Sequence, residues 1–310
     1  MTIVASIDIG TNTIRLLIAD IGERKKLKRI VSKRDITRLG EGFIKKKEIS
    51  FKATKRSIKV LEEYLNLVNK YRAKKTLAVA TSAVREAANK DEFLMEVYRS
   101  TGLEVQVVSE REEASMTLAG VLSIISEIIG RTLVIDIGGG STEFITIEGK
   151  ILITTHSLNL GAVYLTERFI HSDPPPHLEL ENLREFVAKR LSSLPLAGLS
   201  FSSLLGTAGT ITTLAAIDQE MSTYDPEKIN KYTLTREAVK SIYNRLKSLN
   251  RVERCLNPGL ERGREDIILA GTIVLLSIME TLNFNEITVS DYGLLEGIII
   301  DNYRKRGDLF

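Results

Sequence analysis

Apolar and polar positions alternate from the start of the chain. They predict strands over 3–9 and 14–19 and, past a turn at 22–28, a third over 29–32. A polar loop then runs to residue 49. Ile58, Leu61, Leu65 and Val68 recur at helical spacing within a helix predicted over 51–71. A strand over 76–80, a helix over 91–99 closed by Gly102, a strand over 105–108 and a helix from 110 to 129 complete the first half. The second half predicts strands over 132–136, 143–147 and 151–158, then helices over 162–170 and 178–194. The run Asp173-Pro174-Pro175-Pro176 between those helices is a local loop. A strand over 203–205, helices over 211–217, 236–249 and 264–282, a strand over 286–290 and a helix over 294–303 follow.

The pattern repeats. With an offset of 128 residues, Ile7-Asp8-Ile9-Gly10 aligns with Ile135-Asp136-Ile137-Gly138, Thr13 with Ser141, and Leu16 with Phe144. Both copies read as a strand, Asp-Ile-Gly, a small polar turn and a second strand. A chain of 310 residues suits two domains. We expect two similar α/β domains, 1–122 and 123–310, with the last helix packing back on the first. Ligands commonly bind between paired domains, so the site is expected in the interdomain cleft.

Composition narrows the chemistry. There are 43 Lys and Arg against 40 Asp and Glu, a net charge of +3, with 43% hydrophobic and 27% charged residues. That balance excludes a disordered chain and argues against a nucleic-acid binder. Cys255 is the sole cysteine, and His156, His171 and His177 lack ligand spacing. Disulfides, thiolate metal clusters and Ser-His or Cys-His catalysis therefore have little material. Carboxylates, backbone amides and a hard metal remain. The apolar stretch 268–279 is too short to span a membrane, and Asp8 interrupts the opening too early for a signal peptide. The setting expected is the cytoplasm, with no membrane partner.

Three loops carry candidate chemistry. Asp8-Ile9-Gly10-Thr11-Asn12-Thr13 and Asp136-Ile137-Gly138-Gly139-Gly140-Ser141-Thr142-Glu143 each place an Asp at the end of an apolar strand. An unpaired charge there is costly, so a cation or a dense set of donors is implied. Glycines let backbone N–H groups converge on an anion, and Thr11, Thr13, Ser141 and Thr142 add hydroxyls. The competing reading is a pair of hairpins with glycine-rich turns. The third loop, Leu205-Gly206-Thr207-Ala208-Gly209-Thr210, precedes a helix, and an anion site at a helix N-terminus competes there with a plain tight turn. Ser109-x-x-Glu112 is a capping box, which leaves Glu113 to point elsewhere. Arg264 opens an apolar helix, where a cation opposes the dipole and a phosphate relieves the conflict. Asp291 follows the last strand and reads as a turn cap. Basic residues cluster at Arg24, Lys25, Lys26, Arg34 and Lys45–Lys47, a charged hairpin face or a steering patch for a polyanion.

These loops resemble those of the actin, sugar-kinase and heat-shock-chaperone superfamily. Within it, segments 8–16, 80–89, 112–121, 136–143, 206–217, 262–271 and 289–297 resemble the exopolyphosphatase/guanosine pentaphosphate phosphatase family, with Thr11 and Thr13 where Ser is common. The resemblance implies a two-domain actin-like ATPase (ribonuclease H-like) α/β fold. It also implies Mg²⁺-dependent hydrolysis of a terminal phosphoanhydride, with polyphosphate as first substrate and guanosine pentaphosphate, cleaved to the tetraphosphate, as second. Glu113 is then the residue that orients or deprotonates water, and Arg85, in Thr81-Ser82-Ala83-Val84-Arg85, binds phosphate and transition-state charge. Gly10, Thr11, Asn12, Thr13, Arg15, Gly138, Gly139, Gly140, Ser141, Thr142, Gly206, Thr207, Ala208, Gly209 and Arg264 are the expected phosphate contacts. Asp136, Glu143 and Asp8 are the expected metal ligands. Arg15 and Glu143 occupy equivalent repeat positions with opposite charges. A small-molecule kinase and a slow alarmone or polyphosphate sensor are the rival readings, and the oligomer, a homodimer included, stays open.

Overall fold

The computed structural model describes residues 2–22, 27–43, 47–125, 127–196 and 198–305. The chain divides into two compact units, Met1–Ser123 with Tyr292–Phe310, and Ile124–Asp291.

The first unit opens on a meander of β1 (Thr2–Ile9), β2 (Thr13–Ile21) and β3 (Leu27–Ile36). Then come α1 (Phe51–Lys70), β4 (Lys75–Ala80), the short α2 (Ser82–Arg85), α3 (Lys90–Thr101), β5 (Val105–Val107) and α4 (Glu110–Leu122). The sheet order is β3-β2-β1-β4-β5, with β1, β4 and β5 parallel and the meander antiparallel. β1 is central and buried, which explains its near-continuous apolar sequence. α1 is amphipathic: Ile58, Leu61, Tyr64 and Val68 face the core, and the Ser50 hydroxyl caps it by accepting from the Ala53 N–H.

The second unit contains β6 (Arg131–Ile137), β7 (Thr142–Glu148), β8 (Ile151–Leu158), α5 (Ala162–Phe169), α6 (His177–Leu191), β9 (Ser203–Thr207) and α7 (Ala208–Asp218). It continues through α8 (Pro226–Ile229), β10 (Thr233–Thr235), α9 (Arg236–Leu246), α10 (Arg251–Arg254), α11 (Ile268–Thr281) and β11 (Glu286–Val289). Its sheet runs β10-β11-β9-β6-β7-β8. Without β10 this is the first sheet again: an antiparallel meander of β6, β7 and β8, with β9 and β11 added parallel beside β6. The repeat seen in the loops therefore extends over the whole sheet. The fold is α/β with two mixed sheets. α11 is buried along almost its whole length, as its apolar sequence requires.

The last helix, α12 (Leu294–Lys305), belongs to the first unit. It packs on β1 and α4, and the buried Ser6 hydroxyl donates to the Leu295 carbonyl at 2.8 Å. Arg29 pairs with the buried Glu296 at 2.7 Å, and its guanidinium lies 3.9 Å from the Tyr292 ring centre. α4 and α12 meet backbone to backbone. A Cβ on Gly120 would collide with the Gly293 carbonyl, and one on Gly297 with the Met116 carbonyl.

Several predicted boundaries need correction. The helix expected to reach 129 stops at Leu122, because the following residues must travel to the start of β6. The helix expected from 264 starts at Ile268. Residues 264–267 form a turn in which the Arg264 carbonyl accepts from the Ile267 and Ile268 N–H groups. The helix expected over 236–249 ends at Leu246, and the one expected from 211 starts at Ala208. α2, α8, β10 and α10 are too short for periodicity to reveal.

Adding a methyl at the α4–α12 contact tests this packing. Gly120→Ala and Gly297→Ala should each destabilise the protein by about 1–3 kcal/mol. Urea unfolding checks this.

Candidate active site

Parallel strands bring their carboxyl ends to one edge, and in open α/β sheets that edge is where ligands bind. In the first unit β1, β4 and β5 lead there into residues 10–12, 81–85 and 108–113. The Gly10 N–H donates to the Thr13 carbonyl at 3.0 Å, closing the turn. The Thr11 carbonyl accepts from the Gly40 N–H, and that of Asn12 from the Thr37 and Arg38 N–H groups, so the turn is braced from behind. The Thr11 and Ser82 hydroxyls share a hydrogen bond of 2.9 Å, which joins the first loop to the second. The Asn12 side-chain NH₂ is buried and has no partner among the described residues.

Arg85 joins the second loop to the third. Its Nη1 donates to the Val108 carbonyl at 3.0 Å and to the Glu113 carboxylate at 2.8 Å. Its Nη2 is buried without a partner among the described residues. Glu113 is only 8% exposed. The capping box predicted beside it is present: Ser109 N–H and hydroxyl both donate to Glu112, and the Glu112 N–H donates to the Ser109 hydroxyl. Glu112 thus serves the helix end, while Glu113 turns inward to Arg85. The Ser109 backbone bond, then its hydroxyl, hold the Glu112 carboxyl below its ordinary range.

Asp8 and Arg15 are register partners on β1 and β2, and Arg15 donates from Nε at 2.8 Å and Nη2 at 2.6 Å to one Asp8 oxygen. The other Asp8 oxygen is buried and has no partner among the described residues. Arg15 is therefore committed to Asp8, a pairing the sequence did not suggest.

The second unit carries the matching turn, Gly138–Ser141. The Gly138 N–H donates to the Ser141 carbonyl at 3.0 Å, as Gly10 does to Thr13. The carbonyls of Gly138, Gly139 and Gly140 accept from the N–H groups of residues 161–164 at the start of α5. A trans peptide sets N–H opposite C=O. The N–H groups of Gly139, Gly140 and Ser141 are thus turned away from α5. A side chain on Gly161 would strike Gly139 and Gly140, so glycine is required there.

Asp136 and Glu143 are register partners, the positions held by Asp8 and Arg15 in the first sheet. Glu143 is buried and accepts from the Ser141 hydroxyl at 2.6 Å and the Ser157 hydroxyl at 3.1 Å. The Thr142 hydroxyl donates to the Leu160 carbonyl at 3.0 Å, which ties β7 to the segment before α5. Among the described residues no group of three or more His, Cys, Asp or Glu side chains could hold an ion by itself.

The third loop follows β9, next to β6 at the same edge, with Thr207 opposite Asp136. Ala208 sits in the left-handed region at φ 70, a conformation that costs energy in any residue with a Cβ. Gly206 gives room to Ile287 and Ile211, and Gly209 to the Arg264 guanidinium. Arg264 is buried, precedes α11 and donates from Nε to Glu261 at 2.6 Å. The Asp291 carboxylate accepts from the Tyr224 hydroxyl, and its N–H donates to Asn230 at 2.8 Å. Asp291 therefore fastens the turn after β11.

The model of the Ppx/GppA phosphatase family matches residues 17–306. The chain belongs to the Ppx/GppA phosphatase family. Exopolyphosphatase 2 of Mycobacterium tuberculosis is 33% identical over 314 residues, spanning 97% of this chain and 98% of the relative. A bifunctional 3-dehydroquinate synthase/phosphatase of Fusobacterium nucleatum is 35% identical across 97% of this chain, and the chain spans 47% of that protein's length. Among solved structures, the Ppx/GppA member of Aquifex aeolicus matches with a TM-score of 0.82 at 35% identity, covering 98% of each chain. An exopolyphosphatase from Cytophaga hutchinsonii matches at 0.90 and 26% identity, covering 99% of this chain and 98% of the other.

Against this Ppx/GppA framework, sequence reasoning passed over Ser82, Ser157 and Glu261 as individual residues. Each is a short polar side chain whose partner lies on another element or across a turn, so no local pattern marks it. Of the basic cluster, Arg24, Lys25, Lys26, Lys45 and Lys46 lie outside the described residues. Arg34 is half-buried on β3, and Lys47 is exposed. No described helix is long and apolar enough to cross a membrane.

The capping box carries a pH signature. A carboxyl with a lowered folded pKa adds stability that is complete above its unfolded value and is lost as pH falls through the folded one. The stability difference between wild type and Glu112→Gln should therefore be largest near neutral pH, begin to shrink as pH falls through the ordinary carboxyl value of about 4, and vanish only below the lowered folded value. Urea unfolding at both ends of that window checks it.

Proposed function

We propose that this chain is an exopolyphosphatase: it hydrolyses the terminal phosphoanhydride of inorganic polyphosphate and releases orthophosphate. The observation that carries the reading is a set of buried, unsatisfied donors beside a buried carboxylate. Asn12 and Arg85 each hold a side-chain N–H group away from water with no acceptor among the described residues, on loops at one sheet edge. Buried donors are rarely left unpaired, and phosphate oxygens are the acceptors that suit an amide and a guanidinium together. Relatives named exopolyphosphatase along nearly their whole length point the same way.

In this reading Glu113 orients a water toward the terminal phosphorus and takes its proton. The water oxygen forms a bond to phosphorus as the bond to the bridging oxygen breaks. The shortened polymer leaves with that electron pair. Arg85 has two tasks: Nη1 fixes the Glu113 carboxylate, and Nη2 is available to a phosphate oxygen. In the second unit, the amides of Gly139, Gly140 and Ser141 form the phosphate cradle.

A divalent cation fits the residues present. Asp136 and Glu143 stand directly opposite on neighbouring strands, where like charges repel. Two carboxylates, with waters and substrate oxygens filling the other positions, are a common Mg²⁺ arrangement. Such an ion neutralises charge on the phosphate oxygens.

Purified protein should release orthophosphate from polyphosphate in the presence of Mg²⁺ and lose that activity on chelation. Glu113→Gln should lower kcat by about 10²–10⁴-fold with KM nearly unchanged. Guanosine pentaphosphate presents a similar terminal anhydride and serves as the second substrate. Release from it alone would replace polyphosphate as the substrate, and release from neither would overturn the hydrolase reading.

A further inference from the structure

We propose that Ser82 is a further phosphate-binding residue, which shares with Thr11 the donation of one hydroxyl hydrogen to an oxygen of the substrate phosphate. The inference rests on the phosphate-binding reading above and adds a residue to that site. β1 and β4 run parallel with Ile9 opposite Ala80, so the residues that follow them leave the sheet side by side. The Thr81 N–H donates to the Ile9 carbonyl at 3.2 Å and prolongs that pairing. Just beyond it, the Thr11 and Ser82 hydroxyl oxygens lie 2.9 Å apart. Thr11 is 9% exposed and Ser82 5%, so neither hydroxyl is freely hydrated.

This pair has one hydrogen too many. A hydroxyl carries a single hydrogen and can accept as well as donate. Whichever of the two donates, their mutual bond uses one hydrogen and leaves one over. The remaining hydrogen has no acceptor among the described residues, and a buried donor left unpaired is costly. Rotating Thr11 does not relieve this. Its methyl group lies against Gly40, where a Cβ would collide with it, and its carbonyl accepts from the Gly40 N–H at 2.8 Å. The side chain is thereby fixed with its hydroxyl toward Ser82. The surplus hydrogen sits on the same two loops as the Asn12 amide and Arg85 Nη2, which are also buried without an acceptor among the described residues. A hydroxyl, an amide and a guanidinium together suit an anion with several oxygens. Distance suits it too. With the hydroxyls 2.9 Å apart, an oxygen at the ordinary hydrogen-bond length of about 2.8 Å from each completes a near-equilateral triangle. One phosphate oxygen can therefore take the surplus hydrogen from either hydroxyl.

Sharing and bracing make opposite forecasts for a double variant. A bond that only braces the two loops is broken by Ser82→Ala or by Thr11→Val alone, and removing both hydroxyls then costs nothing more. A shared donor survives either single substitution, because the remaining hydroxyl still has its hydrogen, and it disappears only when both are gone. We expect kcat/KM for polyphosphate to fall about threefold in each single variant, through lost orientation, and about 30–100-fold in the double, the size of a lost hydrogen bond to a charged group. A double variant whose loss is no greater than the product of the two single losses overturns the inference. Wild-type turnover in the same assay separates the two levels: without it the hydrolase reading fails, and with it the result bears on Ser82 and Thr11 alone. Melting temperatures report folding. Should the Ser82→Ala and Thr11→Val double variant not fold, Thr11→Val with Ser82→Cys, which fills the same space with a weak donor, gives the same comparison.

Discussion

The ion pair between Arg85 and Glu113 is the constraint on which the first unit's chemistry turns. A carboxylate this deeply buried is costly to ionise without a partner, and a buried guanidinium is equally costly alone. Arg85 comes from the turn after β4, and Glu113 from the first turn of α4 after β5. The pair can form only if both parallel strands end at the same edge, as their register provides. The capping box works to the same end. With Glu112 tied to Ser109, the helix N-terminus is satisfied by another residue, and Glu113 is left to face Arg85. The pair leaves one Arg85 nitrogen without a partner among the described residues.

Most of the fold was legible in the sequence because its signals are local. Long strands and helices follow periodicity, Gly102 takes the left-handed turn that ends α3, and the Asp-Ile-Gly repeat announced two related sheets. The errors share a cause. The helix predicted to 129 and the helix predicted from 264 both overran because apolar spacing continues into segments whose backbone is turned by tertiary demands. Very short elements such as α2 lie below the length at which periodicity can register.

The candidate site was legible where chemistry repeats along the chain and illegible where it depends on contact. The two hairpin turns and the capping box could be named from spacing, and Glu113 through the family resemblance. That Arg15 is held by Asp8, that Thr11 touches Ser82 and that Glu261 grips Arg264 could not, because each is decided by register or by a turn. Thr142 shows the converse. Its hydroxyl looked like a phosphate donor, yet it spans from β7 to the Leu160 carbonyl and serves the framework.

The duplicated hairpins show which features the scaffold fixes and which it leaves free. Gly10 and Gly138 close their turns with the same backbone bond. That feature follows from turn geometry and could not differ without changing the backbone. The charge opposite the aspartate is under no such constraint. In the first sheet it is Arg15, which neutralises Asp8 within the hairpin itself. In the second it is Glu143, which cannot neutralise Asp136 and draws instead on the hydroxyls of Ser141 and Ser157. Neutral hydroxyls can solvate a carboxylate but cannot cancel its charge. A single substitution at one register position thus gives one copy an ion pair and the other two carboxylates at facing positions. Copies of one backbone can in this way take different roles while the fold that carries them stays the same.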